Sequence, residues 1–201
     1  MQVNRRSQVD RSAATRAALL AAARPLFAER GFGGVGTETI VQAVGVTRGA
    51  LYHQFADKTD LFEAVFEAIE QDLTRRLGER IAAAGVSDPI QAMMLGADAW
   101  LDACGEQAVQ QIVLLDGPSV LGWQRWRDIS LRYGLGLVEG LLTRAIEVGR
   151  IQPQPVAALA HVLVGALDEA ALYIARSDDQ ATAGEEARAV VARLVAGLAQ
   201  S

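Results

Sequence analysis

The chain reads as all-α: an N-terminal three-helix unit of helix-turn-helix form, joined by a long helix to a larger helical body. Three observations lead there. Apolar residues recur every three to four positions through most of the 201 residues, and no stretch alternates apolar with polar as a half-buried strand does. Glycines and prolines punctuate those stretches at intervals suited to helices and short connections. Between Thr37 and Lys58, two short helical patterns flank one glycine, Gly45, the spacing of two helices meeting across a tight turn.

Taken in order, the first helix is expected from Ser12 to Arg30. Leu19, Leu20, Ala23, Leu26 and Phe27 share a face, and Gly31 supplies a stop. Pro25 lies inside this run and predicts a mild kink or a weakened turn. A glycine-rich connector follows, residues 32–36. Thr37 is expected to cap a second helix ending near Val44, and Thr47 a third. Ile40, Val44, Val46, Leu51 and Phe55 fall where a three-helix core needs apolar side chains, with Ala43 small at a close approach.

From Asp57 the stripe Phe62, Phe66, Ile69, Leu73 and Leu77 predicts a fourth helix of about seven turns. Gly85 and Ser87-Asp88-Pro89 separate it from a fifth, with Met93, Ala97, Trp100, Leu101 and Cys104 on one face and Asp98 and Asp102 opposite, toward solvent. A sixth apolar segment, Val109 to Leu115, should end at Asp116-Gly117-Pro118. Trp123 to Val148 reads as a long seventh helix despite Gly134, Gly136 and Gly140, and Pro153 and Pro155 mark a break. Val156 to Ala175 is apolar around most of its circumference, so it is expected to be central or covered by a second chain. Thr182 and Glu185 suggest a capping box for the last helix, which carries Ala187, Val190, Val191, Leu194 and Leu198 on one face.

Composition narrows the function. A hydrophobic content of 51% suits a packed globule rather than a disordered chain. The absence of a leader-like N-terminus, or of eighteen consecutive apolar residues, makes a cytoplasmic location the expectation, with no membrane. Cys104 is alone and the histidines are two, His53 and His161, so neither a disulfide nor a bound metal is expected. No cofactor is implied. The net charge of −5 is unevenly spread: residues 1–58 carry eight basic side chains against four acidic, a balance of +4, and the remainder eleven against twenty, a balance of −9. A basic head on an acidic body points to one end that faces nucleic acid, or else to a chance excess in an arginine-rich tail.

The head also carries the chemistry for it. In a helix-turn-helix the second helix enters the major groove with its N-terminal residues toward the base edges, because only that groove is wide enough. Those residues are Thr47, Arg48 and Gly49. Arg48 has the fork suited to guanine or to phosphate, or else simply faces solvent, and Gly49 permits close approach to the groove floor. Thr37 and Lys58, at the starts of the second and fourth helices, sit where backbone amides attract phosphate. Arg5, Arg6 and Arg11 either add backbone contacts or belong to a disordered tail.

The run Thr47-Arg48-Gly49-Ala50-Leu51-Tyr52-His53-Gln54-Phe55, followed by Asp57-Lys58-Thr59-Asp60-Leu61, closely resembles the DNA-binding domain of TetR-family transcriptional regulators. These typically carry Ser/Thr-Arg-Gly-Ala-Leu-Tyr-His-His-Phe and a lysine opening the fourth helix. Gln54 departs from a frequent histidine. Phe27-Ala28-Glu29-Arg30-Gly31-Phe32 extends the likeness, which is strong over about residues 12 to 65 and architectural beyond. The resemblance implies that Tyr52 and His53 face the duplex. Tyr52 would meet phosphate or a thymine methyl, or else pack on the first helix; His53 could simply be exposed.

For the rest of the chain the resemblance implies a helical domain that binds a small effector and forms a homodimer through its last two helices. The division expected is residues 1–56 for DNA and residues 57–201 for ligand and dimer. Phe66, Met93, Met94, Trp100, Trp123, Trp126 and Tyr133 are candidates for a ligand cavity, each equally readable as ordinary core. Arg76 and Arg80 could meet an anionic ligand group, the negative helix end, or solvent. Leu159, Val162, Leu163, Ala166, Tyr173, Val191, Leu194 and Leu198 are candidates for the dimer contact. The functional expectation is a ligand-responsive repressor on a palindromic double-stranded operator. A ligand-independent architectural or division factor is the alternative. An enzyme is disfavoured because two histidines, one cysteine and no paired catalytic motif leave few catalytic groups.

Overall fold

The structure, a computed structural model, describes the backbone of residues 2–199 and the side chains of residues 9–199. The described residues form α1 (Gln2–Arg30), α2 (Thr37–Val44), α3 (Arg48–Gln54), α4 (Lys58–Ala84), α5 (Pro89–Cys104), a π-helix (Val109–Asp116), α6 (Gly117–Leu121), α7 (Trp123–Glu147), α8 (Val156–Arg176) and α9 (Gln180–Ala196), with no strand among them.

Local chemistry explains most boundaries. Gly45 takes the left-handed conformation at φ 74°, and its N–H donates to the Val41 and Gln42 carbonyls, closing α2 and turning the chain into α3. Thr47 caps α3 by accepting from the Ala50 N–H at 3.2 Å. Asp57 accepts from the Asp60 N–H at 2.8 Å while Asp60 accepts from the Ala56 N–H at 2.8 Å, so two carboxylates secure the first turn of α4.

Several boundaries differ from expectation. The first helix starts at Gln2 rather than Ser12, there being no proline or glycine before Pro25 to stop it; Pro25, on an exposed face, lies within this one helix, which the family resemblance also implies. Thr37 is the first helical residue; Gly36 is the cap, in extended conformation without a side-chain bond. Asp179 caps α9, its carboxylate accepting from the Thr182 N–H at 3.1 Å and hydroxyl at 2.7 Å. A carboxylate outcompetes the Thr182 hydroxyl as acceptor, which displaces the expected capping box. The segment ending at Asp116-Gly117-Pro118 does not break there but passes from a π-helix directly into α6. Gly117 is required by packing: a Cβ on it would lie 2.8 Å from Trp126 Cδ1 and 3.0 Å from Phe66 Cε2.

One apolar cluster runs from Leu19 of α1, through the head and α4, to the π-helix, Trp126 and Leu172. Phe62 stacks edge-on against Phe27 and Phe32, with ring centres 5.4 Å and 5.3 Å away. The head is thereby welded to the upper body through α4. A second cluster, built on Ile90, Met93, Leu142, Ala160 and Val191, holds α5, α7, α8 and α9 together lower down.

α8 is 21 residues long with a mean hydropathy of 1.5 over its best window, enough by length and composition to cross a membrane. Here it packs on α5, α7 and α9 and buries a carboxylate, Asp168. It is central on one side only, since Val162 and Tyr173 on the other are 67% and 52% exposed.

Candidate DNA interface and ligand cavity

α3 lies on the outside of the head. Leu51 and Phe55 face inward and are buried, which turns Thr47, Arg48, Gly49, Tyr52 and His53 outward, all exposed. The space around Gly49 is open, the nearest atom to a Cβ being Thr47 Oγ1 at 3.8 Å, so nothing stands between this turn and an approaching surface. Arg48 Nη2 donates to the Tyr52 hydroxyl at 3.4 Å, with the guanidinium 5.5 Å from the ring centre. Arg48, and after it Thr37, hold the Tyr52 phenol below its ordinary acidity range, so Thr37, Tyr52 and Arg48 lie in one polar row spanning the starts of α2 and α3. Tyr52 is 42% exposed. Gln54, which departs from the motif, donates to Ser12 Oγ at 2.7 Å and ties α3 to α1.

Lys58 is placed differently from the other outward residues. Its ammonium donates to the Phe32 and Val35 carbonyls, each at 3.0 Å, and lies 3.9 Å from the centre of the Phe32 ring. The group expected to meet phosphate is turned into the chain, where it pins the connector between α1 and α2 to α4. Phe32 is held from the other side too, its N–H donating to Asp116 Oδ2 at 2.7 Å. Arg11 is exposed, while the Arg5 and Arg6 side chains lie outside the described residues.

In the body, a cavity of about 110 Å³ opens between α4, α5, α7, α8 and α9. Of the residues expected to line it, Met93 and Trp100 do. The others do not. Phe66 and Trp126 are sealed in the upper core, the Trp126 N–H donating to the Val113 carbonyl at 2.9 Å. Met94 and Tyr133 pack against the two cores, and Trp123 is 64% exposed on the surface. Size alone could not separate cavity wall from core.

The cavity's polar groups went unpredicted. Glu70, 3% exposed, accepts from Ser130 Oγ at 2.8 Å, and burial pushes its carboxyl up to about 7. Asp168, 8% exposed and raised by burial to about 6, is paired with Arg127. The indole N–H of Trp100 is buried without a partner. One signal was available: Glu70 follows Ile69 and lies three residues before Leu73 of the apolar stripe, and Asp168, with its exposed neighbour Glu169, interrupts the most apolar part of α8. Cys104, nearby, is buried and its thiol pushed well above the ordinary range, chiefly by desolvation.

Arg76 and Arg80 do not line this cavity. Arg76 pairs with Glu106 at 2.7 Å and Arg80 with Asp102 at 2.9 Å, while Arg188 of α9 reaches the same Asp102 at 2.8 Å. Asp98 and Asp102 are exposed, as expected, and through these arginines they also link α5 to α9 and, at Asp102, to α4.

Of the residues expected at a dimer contact, Val162, Tyr173 and Leu194 are exposed, and Val190 beside them is 53% exposed. Leu159 and Leu198 are partly covered by the second cluster, Leu163 and Ala166 belong to the cavity wall, as Leu194 also does at its inner edge, and Val191, 7% exposed, belongs both to that wall and to the chain's own core.

Comparison with known proteins agrees with this architecture. Residues 90–198 match the family described as "Tetracyclin repressor-like, C-terminal domain" and residues 19–65 match "Bacterial regulatory proteins, tetR family". The HTH-type transcriptional regulator CymR of Pseudomonas putida is 32% identical over 137 residues, 67% of this chain and 63% of CymR, so the match spans less than two thirds of that relative. A TetR-family transcriptional regulator from Pectobacterium atrosepticum superposes with a TM-score of 0.84 at 31% identity, covering 96% of this chain and 97% of that one. RolR, solved in complex with resorcinol, superposes at 0.74 over 92% of this chain and 89% of its own, but at 20% identity, a likeness of fold. With a family match across more than half its length, and with helix-turn-helix and body both accounted for, the chain belongs to the TetR family of transcriptional regulators.

Proposed function

We propose that this protein is a homodimeric, sequence-specific DNA-binding repressor of the cytoplasm that releases a palindromic operator when a small molecule enters the body cavity. DNA contact falls to residues 1–56, ligand and dimer contact to residues 57–201. The observation that carries the reading is the exposed leading edge of α3, Thr47-Arg48-Gly49 with Tyr52 and His53, on the basic end of an otherwise acidic chain. Arg48 reads a base, Gly49 allows the backbone close, and the Thr37–Tyr52 row and the amides opening α4 hold phosphates. Lys58 acts indirectly, by fixing the connector that orients α2.

The partner in the dimer is a second copy meeting Val162, Tyr173, Val190 and Leu194. Val162 and Tyr173 share a face of α8. Tyr173 donates to Glu186 Oε2 at 3.0 Å, and Glu186, Val190 and Leu194 follow at four-residue spacing on α9, so the two faces adjoin.

Coupling runs along α4. Its middle, from Glu70 to Ile81, forms one wall of the cavity, and its first residue holds the head connector about 18 Å away, twelve residues at 1.5 Å each. A displacement of the wall is transmitted as a tilt of the head. The cavity favours this reading over a ligand-independent factor. The test is selection of bound duplexes from a random pool, followed by titration of the selected operator. A two-fold symmetric consensus bound by two chains is expected, whereas equal affinity for every duplex would end the proposal.

A further inference from the structure

The connector between α1 and α2 is gripped from two sides, by different parts of the molecule. On one side the Lys58 ammonium, from the first residue of α4, donates to the Phe32 carbonyl at 3.0 Å. On the other, the Phe32 N–H donates to Asp116 Oδ2 at 2.7 Å, and Asp116 is the last residue of the π-helix, 84 positions further along the chain. One peptide segment of the head is thus held both by the helix that joins it to the body and by a carboxylate that the body itself extends. A bond to a charged acceptor at that length is stronger than one between neutral partners.

Asp116 is mounted on a rigid seat. Trp126 of α7 donates its indole N–H to the Val113 carbonyl at 2.9 Å, three residues before Asp116. The neighbouring Gly117 lies so close to Trp126 and Phe66 that a Cβ on it would stand 2.8 Å and 3.0 Å from them, and the Ser119 hydroxyl donates to the Asp116 carbonyl at 2.9 Å. The head's side of the contact is equally close: a Cβ on Gly31 would lie 3.4 Å from Asp116 Oδ2 and 3.3 Å from Gln111 Nε2. Packed interiors transmit a displacement rather than absorb it, so wherever α7 and the π-helix stand, the Phe32 amide is drawn with them.

Phe32 is five residues before Thr37, where α2 begins and the polar row on the outside of the head starts. Its pose sets the direction in which α2 and α3 leave the body. In a two-fold dimer each body is fixed by its partner, and the pose of head on body then sets the distance between the two α3 helices. We propose that Asp116 is a positioning residue for DNA binding, which fixes the half-site spacing that the dimer reads. This rests on the homodimeric, operator-binding reading above. One base pair more or fewer between half-sites moves one of them by about 3.4 Å along the duplex and turns it by about 35°. A head clamped at Lys58 and Asp116 together cannot follow such a move, whereas a head held from the α4 side alone can swing. A contact that merely added stability would leave the spacing preference as it was.

The test varies the half-site spacing of the selected operator by one base pair either way and measures affinity by fluorescence anisotropy for the full-length wild type, Asp116→Ala and Asp116→Asn, with an unfolding midpoint recorded for each. Wild type is expected to lose at least about tenfold in affinity at either altered spacing. Asp116→Ala is expected to bind the selected operator about tenfold more weakly and to discriminate among the three spacings by less than about threefold, since a freed head must be ordered on binding. Asp116→Asn, whose side-chain oxygen still accepts from the Phe32 N–H, should recover most of the spacing preference. Should the alanine variant not fold, Asp116→Ser, too short to reach the Phe32 amide, takes its place with the same expectation. An alanine or serine variant that keeps the wild-type spacing preference overturns the proposal, even if it is less stable or binds every operator more weakly, because the contact is then structural only. An asparagine variant no more discriminating than alanine overturns it as well, because the acceptor is then not what holds the head. A wild type indifferent to spacing sinks the two-fold operator reading itself, and the role of Asp116 with it.

Discussion

Replacing Glu70 by glutamine isolates the energetic cost of holding a carboxyl inside the cavity wall. The group is 3% exposed, receives one hydrogen bond from Ser130, and faces the like charge of Asp168, with desolvation the largest influence on it. Its folded value of about 7 stands above its ordinary 4.5. Below about pH 4.5 the carboxyl is protonated in both folded and unfolded chains and costs nothing. As pH rises from there toward 7 the unfolded chain ionises first, so the native protein loses stability; above 7 both are ionised and the penalty is constant at about 3 kcal/mol, from about 1.36 kcal/mol per pH unit. The glutamine side chain of the Glu70→Gln variant keeps an acceptor for Ser130 and cannot ionise. Asp168, raised to about 6, titrates in wild type and variant alike, and its like charge is one cause of the Glu70 shift, so the difference reads the two carboxyls as a coupled pair. Denaturant unfolding at fixed protein concentration should therefore show Glu70→Gln gaining about 2 to 3 kcal/mol on wild type between about pH 5 and about pH 8. A difference that stays constant across that range would refute the claim that Glu70 is enclosed away from water.

Arg48→Ala should lower affinity for the selected operator by about 1 to 3 kcal/mol, measured by fluorescence anisotropy, with a smaller loss on unrelated duplexes; an equal loss on both would make Arg48 a phosphate contact. Lys58→Met keeps the apolar stem but removes two hydrogen bonds and the contact with Phe32, so it should lower stability by about 1 to 3 kcal/mol in denaturant unfolding, whereas unchanged stability with weakened DNA binding would return the ammonium to the duplex. The double change Val162→Glu and Leu194→Glu should shift sedimentation toward the single chain and cut operator affinity at least about tenfold. A dimer of undiminished stability would move the interface elsewhere.

The helix-turn-helix was legible because its signals are local. Gly45 must take positive φ, Thr47 caps three residues ahead of itself, and Leu51 and Phe55 lie on one side of a helix barely two turns long, so the outward residues follow by subtraction. The body was legible as helices for the same reason: a repeat near 3.6 shows wherever one face is buried. Its boundaries were less so, since a capping contest such as Asp179 against Thr182 is decided by which acceptor reaches the amides first.

What each long side chain touches was beyond the sequence. Lys58 at a helix start reads as a phosphate ligand until the fold brings the Phe32 and Val35 carbonyls, more than twenty residues earlier, within 3.0 Å of it. Trp100 and Trp126 are the same residue type in similar apolar contexts, yet one lines a cavity with an unpartnered N–H while the other is locked to Val113. Glu70 and Asp168 stand on helices far apart along the chain and come to line one cavity only in the folded packing of α4 and α8. The sequence by itself determined the helices, the reading head and the family, all set by contacts within a few residues; tertiary packing alone decided which buried groups were left facing a cavity, because that depends on gaps between helices that no single helix encodes.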